Sequence, residues 1–161
     1  MDVLIQVFLV CILAYLAYID LKSFRLPDAI TIPLLLSGIA FNSFTNMAFV
    51  KPIAAIGGAL LGYFFLWALN FLYRCIKKRN GIGMGDAKLL AALGAWFGWL
   101  AIPQILFIAS VFGLIGGIVW LAWNRQSHHQ PFPFGPFLAI AGIIQLLWPQ
   151  ILQLLLQIQP T

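Results

Sequence analysis

Pro52-Ile-Ala-Ala-Ile-Gly-Gly58-Ala-Leu-Leu-Gly62-Tyr-Phe-Phe-Leu-Trp-Ala-Leu-Asn-Phe-Leu-Tyr73 contains no charged residue, and Arg74-Cys-Ile-Lys77-Lys78-Arg79 follows at once. A helix needs about 20 mostly apolar residues to cross a bilayer, so this stretch reads as a span with a basic anchor. Five more stretches read the same way: 3–19, 29–50, 84–100, 103–123 and 136–158. Together they use nearly the whole chain and leave no room for a soluble domain. The composition agrees, with 63% hydrophobic and 8% charged residues, against about a quarter charged in soluble domains. The expected fold is all-α: a polytopic membrane helix bundle of about six transmembrane helices, with residues 1–161 forming one integral-membrane domain.

Charge placement sets the expected topology. With six spans, one side collects Lys22, Arg25, Arg74, Lys77, Lys78, Arg79, Lys88 and Arg125, and the other only Lys51. The positive-inside rule then puts the first, third and fifth loops in the cytoplasm and both termini outside. Met1-Asp2 has no positive charge ahead of the first apolar run, unlike a signal peptide. The basic run at 74–79 reads as a topology anchor and lipid-headgroup contact. Nucleic-acid binding is excluded for want of a basic soluble module.

Small residues recur at helix-packing spacing in Gly58-x-x-x-Gly62, Gly94-x-x-x-Gly98 and Gly113-x-x-x-Gly117. They suit close packing within one bundle, or else a homo-oligomer. Trp96, Trp99, Trp120, Trp123 and Trp148 fall near span ends and read as interfacial anchors. Cys11 and Cys75 are isolated, so no disulfide framework or Cys-x-x-Cys site is expected. Cys11 reads as a small packing residue. His128-His129 lacks a Cys or acidic partner, which suits a solvated loop better than a metal site. No metal or other cofactor is expected.

The chain has four acidic residues and no glutamate. Asp20, Asp28 and Asp86 lie where apolar stretches meet the basic loops on the expected cytoplasmic side. Ionisable groups at such places are costly and point to function. Asp28 follows Pro27 and precedes an apolar run, where Asp also serves as a helix N-cap. Asp20 ends the first span, where a negative charge opposes the helix dipole, so helix stability does not explain it. Asp86 closes Gly81-Ile-Gly83-Met-Gly85-Asp86, an irregular lead into the fourth span. It reads equally as an N-cap or as a functional group. The glycines let another chain lie against the backbone.

Asp20 and Asp86 can reach similar depth on one side. Two adjacent carboxylates do not both ionise readily and tend to share a proton. One then serves as base toward water and the other as acid toward the scissile group. No Gly-x-Ser-x-Gly or His-Glu-x-x-His pattern offers another nucleophile or metal.

Gly83-Met-Gly85-Asp86 with Lys88-Leu89 resembles the Gly-x-Gly-Asp signature of intramembrane-type aspartyl proteases. Asp20…Leu26-Pro27-Asp28…Thr31 resembles the first-aspartate motif of the type IV prepilin peptidases. Pro133-Phe134-Gly135-Pro136-Phe137-Leu138-Ala139 with Gly142 is similar to that family's C-terminal segment. The motifs stand in family order across essentially the whole chain.

The resemblance implies an aspartic-type endopeptidase of the bacterial inner membrane. It would remove the basic leader of type IV prepilins or of type II secretion pseudopilins, after a glycine and at the cytoplasmic face. Asp20 and Asp86 match the family's catalytic aspartates, and Asp28 matches an accessory position. Gly83, Gly85, Lys88, Pro133 and Gly135 join Asp28 as accessory or substrate-positioning candidates. Lys88 either stabilises charge there or snorkels to the headgroups, the favoured reading. Many family members carry an N-terminal cytoplasmic segment with paired Cys-x-x-Cys motifs and N-methylate the new terminus. The sequence opens directly at the first core span, so peptidase activity is expected and methyltransferase activity is doubtful. The alternative is a non-enzymatic carrier or a pilus or secretion assembly subunit. A carrier calls for charges near the bilayer midplane and often for inverted repeats.

Overall fold

The computed structural model describes residues 3–77, 83–123 and 133–148, with side chains except at 77 and 120–123. The described residues form six α-helices and no strand: α1 (Val3–Ser23), α2 (Asp28–Phe44), α3 (Pro52–Lys77), α4 (Met84–Phe97), α5 (Ala101–Trp123) and α6 (Gly135–Leu147). The chain is thus an all-α bundle with the expected helix order. Three helices, α1, α3 and α5, are long and apolar enough to cross a membrane. Large apolar side chains including Phe8, Phe64, Phe65, Leu114 and Ile115 are exposed around the bundle, as a lipid-facing surface requires.

α4 is the hub. It packs against α2, α3, α5 and α6, while α1 packs on α6 and α5 also lies along α6. Almost every side chain from Asp86 to Trp96 is buried. Its 14 residues span only roughly 21 Å at 1.5 Å per residue, so its neighbours rather than lipid cover it. In lipid, close packing replaces the hydrophobic drive between helices, and small residues permit it. A Cβ at Gly58 would run into the Gly94 carbonyl, and one at Gly62 into the Leu90 carbonyl. The first two glycine motifs therefore build the α3–α4 contact inside one chain. In the third, Gly113 lies against Phe134, and Gly116 rather than Gly117 against Phe137.

Helix ends differ from the apolar runs for identifiable reasons. α2 stops at Phe44 rather than 50. The buried Asn42 Oδ1 accepts from the backbone N–H groups of Phe49 (2.8 Å) and Val50 (3.1 Å), turning the chain back. Asn42 Nδ2 donates to the carbonyls of Ala95 (2.9 Å) and Trp96 (3.1 Å), locking that turn to the end of α4. α4 ends at Phe97 because Gly98 takes φ 79° and ψ 174°, a positive-φ conformation that glycine, lacking a Cβ, adopts freely. The sixth expected span extends beyond the described residues, as do Lys78, Arg79, Gly81, Arg125, His128 and His129.

Two side chains correct the sequence reading. Trp96 is not an interfacial anchor. It is buried, stacks on Phe41, and donates from Nε1 to the Leu34 carbonyl at 2.9 Å. That bond meets the indole's need for a partner inside the bundle. Trp99 and Trp148 are exposed near helix ends, as anchors would be. Cys11 is exposed on α1 rather than packed, since the buried stripe of that helix runs through Leu9, Leu13, Leu16 and Asp20.

Candidate active site

That stripe explains how Asp20 is delivered. Spacings of four, three and four residues keep one helix face toward the bundle, and Asp20 is the last residue on it. α1 then ends abruptly. Phe24 adopts φ 53°, and its N–H donates to the Asp20 carbonyl at 2.8 Å. Ser23 Oγ bonds the carbonyls of Ile19 and Arg25. Leu26 turns inward, and Pro27 in an extended conformation caps α2.

Asp86 comes from the other side. Gly83 is the N-cap of α4, so Asp86 sits in its first turn and the N-cap alternative for it falls away. The Asp86 N–H donates to the Gly83 carbonyl at 3.1 Å, and the Gly83 backbone donates to the Asp86 carboxylate. This is the half of a capping box in which the N3 side chain reaches back to the N-cap N–H; glycine has no side chain to supply the other half. The Asp20 carboxylate accepts from the backbone of Gly135, in the first turn of α6. The unfavourable dipole at the end of α1 is thereby offset by the favourable N-terminus of another helix.

Asp20 and Asp86 are both buried, near enough to act on one another electrostatically, and they line one cavity of about 430 Å³. Asp28, Gly83, Gly85, Lys88 and Pro133 line it too. Gly135 stands immediately behind Asp20, where a Cβ would lie 2.5 Å from Oδ2. The structure thus brings together every candidate residue read from the sequence.

For Asp28 and Lys88 the structure shows a mutual contact that the sequence does not reveal. Asp28 does not cap α2, because Pro27 holds that position. Its carboxylate instead receives both contacts of the Lys88 ammonium, at 2.6 and 2.7 Å. The Lys88 ammonium is thus held by a carboxylate on the neighbouring helix.

Sequence reasoning missed Leu26, Phe24, Arg25, Met84 and Phe134, which also line the cavity. Leu26 matters most. Its Cβ lies 3.0 Å from where a Cβ of Gly85 would stand, and its Cδ1 lies 3.2 Å from that of Gly135. One side chain thus wedges the first turns of α4 and α6 apart at the depth of the two aspartates. Gly85 and Gly135 lack side chains where Leu26 and Asp20 need the space.

An apolar helix bundle holding two buried carboxylates in a polar cavity defines a membrane protein equipped for acid–base chemistry. Residues 7–118 match the type IV leader peptidase family, and the chain belongs to that family. It is 44% identical over 137 residues to the prepilin leader peptidase/N-methyltransferase of Aeromonas hydrophila, covering 85% of this chain and 47% of that protein. Proteins of the same name from Burkholderia pseudomallei (strain 1026b) and Dickeya chrysanthemi are 46% and 44% identical over 124 and 131 residues. These matches cover 77% and 81% of this chain and 40% and 46% of the relatives. The chain thus spans about half the length of the relatives it matches. No solved structure matches it.

Proposed function

We propose that this chain is an aspartic-type membrane endopeptidase that cleaves the leader from type IV prepilins or type II secretion pseudopilins. In this reading residues 1–161 are one integral-membrane peptidase domain of the bacterial inner membrane. The termini lie outside and the cavity opens near the cytoplasmic face. The observation that carries the proposal is the meeting of Asp20 and Asp86, 66 positions apart in the sequence, in one cavity. Family membership and the relatives' names supply the substrate class.

The chemistry follows from a carboxylate pair that shares one proton. The ionised member takes a proton from water, whose oxygen attacks the scissile carbonyl carbon. The protonated member donates to the carbonyl oxygen as charge develops there. The tetrahedral intermediate then expels the leaving amine, which takes up a proton as the C–N bond breaks. The glycine backbones that bond each carboxylate keep both in place without side-chain rotor freedom. The rival carrier reading needs charges near the bilayer midplane, whereas these aspartates sit in the terminal turns of α1 and α4.

Co-expression with a panel of tagged prepilins tests the assignment. Leader removal by the wild type and not by Asp20→Ala or Asp86→Ala, at matched membrane levels, is the expected outcome. No processing of any candidate would move the chain to the accessory or carrier class.

A further inference from the structure

Lys88 stands two residues after Asp86 and lines the same cavity as both aspartates. Its ammonium is engaged by the Asp28 carboxylate, at 2.6 and 2.7 Å. Among the described residues this is the one salt bridge. The other charged groups around the cavity are Asp20 from α1, Arg25 between α1 and α2, and Asp86 from α4. Lys88 carries its charge on a long flexible stem. The Lys88–Asp28 pair is partly exposed, so an ammonium that loses its partner there is free to swing on that stem toward another carboxylate in the same cavity. The only other carboxylate side chains among the described residues are those of Asp20 and Asp86, the catalytic pair proposed above. An ammonium beside that pair would favour ionisation of both members, leaving no proton for the acid step.

Resting on the proposed dyad, we infer that Asp28 is a positioning residue that acts through Lys88. It sequesters the ammonium on the α2 side of the cavity and so keeps it off Asp20 and Asp86. The pair also ties the first turn of α2 to α4 one turn in from its start, a structural service in its own right. The two roles give different results. A tie alone is lost equally whichever partner is removed. A sequestered charge does harm only when Asp28 is gone and Lys88 remains.

The test is a double-mutant cycle on the full chain in membranes, reading the rate of leader removal from a saturating tagged prepilin. The variants are Asp28→Asn, Lys88→Met and the two combined. Sequestration predicts that Asp28→Asn is the slowest, with kcat down roughly tenfold or more and KM little changed. The double variant is faster than Asp28→Asn and matches Lys88→Met. Asp28→Glu, which keeps a carboxylate for Lys88, recovers most of the lost rate. If Asp28→Asn does not accumulate, Asp28→Ala gives the same comparison per molecule in the membrane. Equal rates in all three variants would reduce the pair to a tie and overturn the inference. A double variant slower than both singles would also overturn it, by making the two residues independent. An Asp20→Asn control separates the readings: cleavage by that variant refutes the dyad, whereas the order of the three variants judges Asp28.

Discussion

The Asp20 carboxylate rests directly on the backbone of Gly135, so tightly that a Cβ at residue 135 would lie 2.5 Å from Oδ2. This contact joins the end of α1 to the start of α6, two helices far apart in the sequence. It places a charge that its own helix disfavours at a helix end that favours it.

Gly135→Ala is therefore expected to displace the Asp20 carboxylate while leaving the bundle inserted. Misplacing a catalytic group by about 1 Å costs on the order of 100-fold in rate. Prepilin processing at matched membrane levels should fall by about that factor. Wild-type processing would mean that Asp20 shifts without consequence.

Leu26→Ala removes the wedge between Gly85 and Gly135. Deleting a buried leucine side chain costs about 2–5 kcal/mol, depending on how far the site collapses. Lower thermal stability in detergent is expected, together with slower cleavage per folded molecule, because both first turns lose their spacer. A change in stability alone would mean that Leu26 packs without positioning.

Asn42→Ala acts at the opposite ends of α2 and α4. It strips partners from the N–H groups of Phe49 and Val50 and from the carbonyls of Ala95 and Trp96. Each buried group left unpaired costs about 1–3 kcal/mol. Thermal unfolding in detergent should shift down markedly. The rate per folded molecule should stay near wild type, since Asn42 does not line the cavity.

Gly58→Val tests the α3–α4 crossing, where even a Cβ would run into the Gly94 carbonyl. Overpacking of this kind typically costs about 1–3 kcal/mol, and backbone-on-backbone contact offers little room to relax. A clear loss of stability is expected. A neutral result would show that the helices separate easily.

Much of this architecture was legible because lipid makes charge conspicuous. Asp20, Asp28 and Asp86 stood out against apolar runs, the glycines before Asp86 marked a close approach, and Gly135 stood within the stretch that resembles the family's C-terminal segment. What was not legible depends on contacts remote in sequence. Nothing local to Asp28 or Lys88 shows that they meet across 60 residues, so capping and snorkelling were the natural expectations. Leu26 looks like any leucine until Gly85 and Gly135 are seen around it. Trp96 at a span end fits an interface or a core equally, and the Leu34 carbonyl decides between them. The ends of α2 and α4 were overrun because hydropathy does not register the Asn42 clamp or the positive φ of Gly98.

The most direct test of the central claim uses purified protein in liposomes with a tagged prepilin, comparing wild type with Asp20→Asn and Asp86→Asn. The account predicts cleavage after the leader glycine by wild type, shown by the mass of the product, and no product from either variant despite unchanged folding. Cleavage surviving either substitution would contradict the paired-aspartate mechanism.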